Sequence, residues 1–140
     1  MRKYYLFIIK KTYYNTYKNK SYVLYQVLET LKNAQTYDFS YGINVYKSLC
    51  MPFPIKLLYN YFEKRISYNL VNSKVMKINS HFEETYVEIK HSCIIIKSNV
   101  SFPEILKIFN IYNKNIFVCD FNHKDFFWLN DVLKKTTLKI

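Results

Sequence analysis

Residues 115–130, NIFVCDFNHKDFFWLN, constrain the fold more than any other stretch of the chain. An apolar run from Ile116 to Cys119 meets a polar corner at Asp120, Asn122, His123 and Lys124. A second apolar run, Phe126 to Leu129, follows it. Two short runs around an Asn-His-Lys corner predict a β-hairpin, with Phe121 and Phe126 near the turn. Trp128, the only tryptophan, falls in the second arm. So aromatic a hairpin near the end of a chain has to cap a core built by the residues before it. Cys119 shares a strand face with Phe117 and is expected to point inward. Asp120 and Asn122 are expected to fix the corner through short side-chain hydrogen bonds.

The chain has 140 residues, the length of one domain with a real core, read as 1–140 with 131–140 a loosely docked end. Aromatics make up 19% of it, which argues against disorder. Its single glycine, Gly42, decides more. Gly-rich phosphate cradles need close backbone approach at several positions, so P-loop and dinucleotide-binding readings are excluded. The formal charge of +11 permits an acidic partner. Yet arginine occurs only at Arg2 and Arg65, and base recognition favours the arginine fork, which argues against nucleic acid as direct partner.

Cys50, Cys93 and Cys119 are odd in number, far apart and set among apolar neighbours. They read as buried free thiols of a cytoplasmic protein. The apolar run after Met1-Arg2-Lys3 is too short for an export signal, and no window reaches the ~18 apolar residues of a membrane span.

Tyr4 to Ile9 is apolar on both alternating faces and predicts a central strand. Thr12 is placed to cap a short helix carrying Tyr13, Tyr14 and Tyr17. Ser21 is placed to cap a second, with Val23, Leu24, Val27, Leu28 and Leu31 at helical spacing. Residues 33–42 read as a loop, and 43–50 do not declare their type. Pro52-Phe53-Pro54 opens a helix reaching Arg65-Ile66. A weak strand signal covers Val75 to Ile78. Tyr86–Ile89 and Cys93–Lys97 form a hairpin, and Ser101-Phe102-Pro103-Glu104 is a capping box before another helix. The order strand–helices–strands–helix–hairpin predicts a mixed α+β (α/β) fold: one mixed sheet with packed helices.

Chemistry is hard to find. His81, His91 and His123 form no metal-ligand spacing, and His91 with Cys93 is at most half a zinc site. Cys119, His123 and Asp120 or Asp125 would make a nucleophilic set only if the hairpin folded differently. No enzyme, metal, cofactor or small-molecule substrate is expected. What remains is surface. Tyr13, Tyr14 and Tyr17 stand among Lys10, Lys11, Lys18 and Lys20, a pattern that suits a protein interface, a single-stranded nucleic-acid platform, or tyrosines that are simply core.

Several words carry a resemblance: Tyr4-Tyr5 then Ile8-Ile9-Lys10 with aromatics at Tyr13 and Tyr17; Pro52-Phe53-Pro54 before a helix; Lys90-His91 before an apolar strand; Asp120-Phe121-Asn122 with Lys124; and Trp128-Leu129-Asn130. In this order and spacing the chain resembles the sporulation inhibitor of replication (SirA) family of endospore-forming bacteria. The resemblance implies a cytoplasmic regulator that binds the N-terminal domain of the replication initiator DnaA and blocks initiation by occlusion. It implies contact residues at Tyr13 and Tyr17, with Tyr14 beside them, and a second contact segment before Pro52 that contains Tyr46. Tyr13 replaces an expected phenylalanine, Phe127 an expected small residue, and the charge is more positive than the pattern suggests. The alternative is a basic, tyrosine-rich single-stranded nucleic-acid-binding module.

Overall fold

A strand as apolar as Tyr4 to Ile9 is stable only where both its faces are covered. In the computed structural model, which describes residues 1–34 and 39–138, that strand is β1, Arg2–Ile9. Tyr4, Leu6 and Ile8 enter one hydrophobic cluster, and Phe7 and Ile9 enter a second on the opposite face. The two clusters make the molecule a three-layer sandwich, helices–sheet–helices.

The elements that follow are α1 (Lys11–Tyr17), α2 (Ser21–Ala34), α3 (Phe39–Leu49), β2 (Cys50–Met51), α4 (Ile55–Glu63), β3 (Tyr68–Leu70), β4 (Val75–Ile78) and β5 (Thr85–Ile89). Then come β6 (Ile94–Ser98), α5 (Ile105–Tyr112), β7 (Ile116–Asp120), β8 (Asp125–Trp128) and α6 (Leu129–Leu138). The strands form one sheet in the order β3-β4-β5-β6-β1-β7-β8, with β2 paired to the end of β1. Every pairing is antiparallel, so the fold class agrees with expectation while the sheet itself is not mixed in direction. The mixed α+β class follows from helices lying on both faces.

One face is closed by Leu58 and Phe62 of α4, Leu106 and Phe109 of α5, and Leu129 with Leu133 of α6. Phe62 meets Phe109 edge-on at 5.0 Å. The other face is covered by α1, α2 and α3 mainly above β1, β7 and β8, where Leu24, Tyr25, Leu28 and Leu31 of α2 join Phe117, Cys119 and Trp128 in one cluster that reaches Ile95 of β6. Register is also locked by a buried polar pair, Thr85 and Ser98, whose hydroxyls are 2.9 Å apart across β5 and β6. An unpaired hydroxyl there would cost free energy; the pair satisfies both.

Several local readings change. No side chain caps α1: Lys10 occupies the cap position and Thr12 lies inside the helix, its carbonyl accepting from Thr16 Oγ1 at 3.4 Å. Helix α2 begins at Ser21, with Leu24 N–H donating to the Lys20 carbonyl, so the cap falls one residue earlier than Ser21. The box at Ser101–Glu104 does not form: Glu104 itself takes the cap position, makes no side-chain cap bond, and its carboxylate pairs forward with Lys107 at 3.3 Å. Its backbone N–H turns instead to Glu83 Oε2 at 3.4 Å. Of the expected loop 33–42, residues 39–42 belong to α3 and 35–38 lie outside the described residues. Helix α4 stops at Glu63, although Ile66 still packs on the core. Strand β3, too short and polar to declare itself, pairs with β4. The polar end is helical to Leu138, anchored through buried Leu129 and half-buried Leu133; residues 139–140 lie outside the described residues.

Candidate partner-binding surface

Helix α1 is held in place by the strand that precedes it. Ile9 N–H donates to the Asn115 carbonyl and Lys10 N–H to the Leu49 carbonyl, both at 3.0 Å, so the chain leaves the sheet at a fixed point. The Lys10 carbonyl then accepts from both Tyr13 and Tyr14 at 2.9 Å and starts the helix. Seven residues of α-helix are too few to be stable alone. Packing has to supply the rest, and tyrosine supplies it. Tyr14 lies edge-on to Trp128 at 4.8 Å and 80°. Tyr17 is half-buried against the same cluster. Tyr13, one step back around the helix, is 37% exposed. Lys11, Lys18 and Lys20 are exposed around it.

The three tyrosines therefore divide. Tyr14 is an anchor against Trp128, Tyr13 is the most exposed of the three, and Tyr17 stands between them at the rim, as 100° steps along the helix require. A run of residue types cannot reveal this division, because it depends on where Trp128 lies.

Tyr46, from α3, stacks on Phe7 at 6.1 Å and 16°. Burial, and then the nearby thiols of Cys93, Cys50 and Cys119, hold its phenol well above the usual range. Tyr46 and α1 border a common feature. Lys10 Nζ donates to the Lys47 carbonyl at 2.6 Å, and Lys10, Tyr46, Met51 and His91 help line a hollow of about 260 Å³. The hollow puts the start of α1 and Tyr46 on one stretch of surface.

All three cysteines are free and buried. Burial pushes the Cys50 thiol up to about 12 and Cys93 to about 11, and raises Cys119 well above its ordinary value. Cysteines far apart in sequence thus enter one cluster, a convergence that their spacing does not show.

The late hairpin is a structural joint. Asp120, 1% exposed, accepts from Arg2 Nη2 at 2.9 Å and Arg2 Nε at 3.1 Å. It also accepts from His123 N–H at 3.3 Å, and its Oδ2 lies 2.9 Å from His123 Nδ1. Lys124 turns the corner with φ of 52°, a conformation uncommon outside glycine. Cys119 and Asp120, as strand neighbours, project to opposite faces, so the thiol packs inward and the histidine pairs with the carboxylate at the corner. Arg2, which the sequence reading left unassigned, is the corner's principal donor.

The family model of the sporulation inhibitor of replication protein SirA matches residues 2–133. The chain belongs to the SirA family. No curated protein matches it. The SirA family is one of sporulation inhibitors of replication, which points to a replication-related protein partner. Among the described residues no group of three His, Cys, Asp or Glu is placed to hold a metal ion, and no helix is long and apolar enough to cross a membrane.

Proposed function

We propose that this SirA-family chain binds the N-terminal domain of the initiator DnaA in the cytoplasm and blocks initiation by occluding that domain, without catalysis. One observation carries the reading: a short helix presents Tyr13, and the rim of Tyr17, among exposed lysines, while Tyr14 and Trp128 pin it from beneath. A pinned aromatic loses little freedom on binding, so most of its contact energy survives. Tyr46, across the Lys10 hollow, widens the surface toward α3. A contact of ordinary size buries roughly 1,200–2,000 Å² in total, with energy concentrated in a few aromatics.

Titration calorimetry with the initiator's N-terminal domain tests this. Tyr17→Ala is expected to weaken binding by about 2 kcal/mol while the far-ultraviolet spectrum stays native. A folded variant that binds as tightly as the parent removes Tyr17 from the interface, and an unfolded one makes it a core residue.

A further inference from the structure

The face of the sheet under α1–α3 is only half covered, and the register of its open half is informative. Lys3 lies directly opposite Lys97, Lys97 opposite Tyr86, Tyr86 opposite Lys77, and Lys77 opposite Asn69. These five residues form a single row across β1, β6, β5, β4 and β3. Strand spacing sets the Lys3-to-Lys77 span of that row at about 14 Å. Beside it runs a second row, Tyr5, Ile95, Glu88 and Val75, again in direct register. Lys77 and Lys97 are exposed, and Lys3, Tyr86, Val75 and Glu88 are half-exposed. A shallow hollow of about 220 Å³ lies between the rows, with Lys90 at its rim.

Like charges directly opposite each other on a sheet are destabilising. Lys3 and Lys97 are so placed, and neither they, Lys77 nor Lys90 makes an ion pair among the described residues. Glu88 is the one carboxylate in the two rows, and nearby Glu84 is engaged by the Tyr86 hydroxyl at 2.7 Å. The face therefore carries a row of lysines without ion pairs among the described residues, with an aromatic ring at its middle and Glu88 and Glu84 as neighbouring carboxylates.

We propose that this open sheet face binds a single-stranded nucleic acid without sequence preference. The lysines of the row would neutralise successive phosphates, and Tyr86 would offer its ring to a base. Lysine serves as a point charge for phosphate where no base edge is read, which is how a lysine-rich, arginine-poor chain can do this. An acidic protein is the lesser fit, because these lysines run in a line across successive strands, as a phosphate backbone does, where those of α1 ring an exposed aromatic on a helix. The site is separate from the α1 surface and does not depend on the initiator reading.

The test is fluorescence anisotropy of a labelled oligothymidylate titrated with the full chain at about 50 mM and about 150 mM salt. The parent protein should bind at the lower salt and weaken steeply at the higher. Lys77→Glu/Lys97→Glu should weaken binding by about tenfold or more and flatten the slope of log affinity against log salt by about 1.4. The neutral pair Lys77→Gln/Lys97→Gln covers the case in which the acidic pair misfolds. Tyr86→Ala should lose about tenfold through stacking. Lys11→Glu/Lys18→Glu on α1 should change it by less than about twofold, since those contacts are not used. No binding at low salt overturns the proposal, as does binding that ignores Lys77 and Lys97 or follows the α1 lysines. Polyglutamate that competes as well as the oligonucleotide also overturns it, in favour of an acidic protein.

Discussion

The two faces of the sheet are built by different rules. On the face of α4, α5 and α6 the cluster is large and dominated by aliphatics and phenylalanine, from Met76 near one edge to Leu129 at the other. On the face of α1, α2 and α3 the cluster is smaller and holds the chain's one tryptophan and all three cysteines. That cluster stops short of the row Lys97-Tyr86-Lys77. Apolar area removed from water stabilises in proportion to its extent, so the first face carries most of the fold. Half-exposed tyrosines can pack at one end and meet a partner at the other, the property that the surface proposed on α1 would use.

The contrast breaks first, if it breaks, at Phe62. Phe62→Ala should cost about 3–5 kcal/mol in urea unfolding, because the side chain is fully buried against Phe109 and leaves a cavity. The next effect is at the joint of strand and hairpin. Arg2→Ala removes two charge-assisted bonds from buried Asp120 and should cost about 2 kcal/mol by the same measurement. A loss under half that size would mean that His123 alone satisfies the carboxylate.

On the second face, Tyr14→Ala should cost about 1–2 kcal/mol of stability through lost contact with Trp128. Tyr13→Ala should stay within about 0.5 kcal/mol of the parent in stability and, if the proposed surface is used, weaken binding to the initiator domain. Equal stability losses at Tyr14 and Phe62 would erase the division between the faces.

A pH dependence is also expected, and on the second face it begins with the thiols. Cys50 and Cys93 have folded values of about 12 and about 11 against an ordinary 9.0. A raised value means that the folded state holds the proton longer than the unfolded chain. The contribution is therefore complete below pH 9 and declines as pH rises from there through 11 to 12. Denaturation at stepped pH should show stability falling above pH 9, with a shallower fall in Cys50→Ala. A slope that the variant leaves unchanged assigns the loss to tyrosines instead.

Much of this was legible beforehand, and the failures share a cause. The double-faced strand β1, the hairpins β5–β6 and β7–β8, and the inward Cys119 follow from alternation and turn chemistry, which are local. The caps at Thr12 and Ser101 did not form because the chain enters those helices from positions set by tertiary bonds, Lys10 to Leu49 and Glu104 to Glu83. Residues 39–42 looked like a loop because Gly42 and polar neighbours weaken helix propensity, yet α3 has a sheet to pack on. Tyr13 and Tyr17 were legible as candidates. Their separation from Tyr14 was not, since it depends on the position of Trp128 more than a hundred residues away.

By itself, then, the sequence determined the fold class, the centrality of β1, the free thiols and the family. Each rests on residue type, count or short-range spacing. Tertiary structure alone decided which tyrosine of α1 is left most exposed, that Arg2 holds the hairpin corner, and that the three cysteines enter one cluster around Tyr46. It alone aligned Lys3, Lys97, Tyr86 and Lys77 across four strands. A sheet brings distant residues side by side through register, and register is set by the burial of whole faces, which no short window of the chain contains.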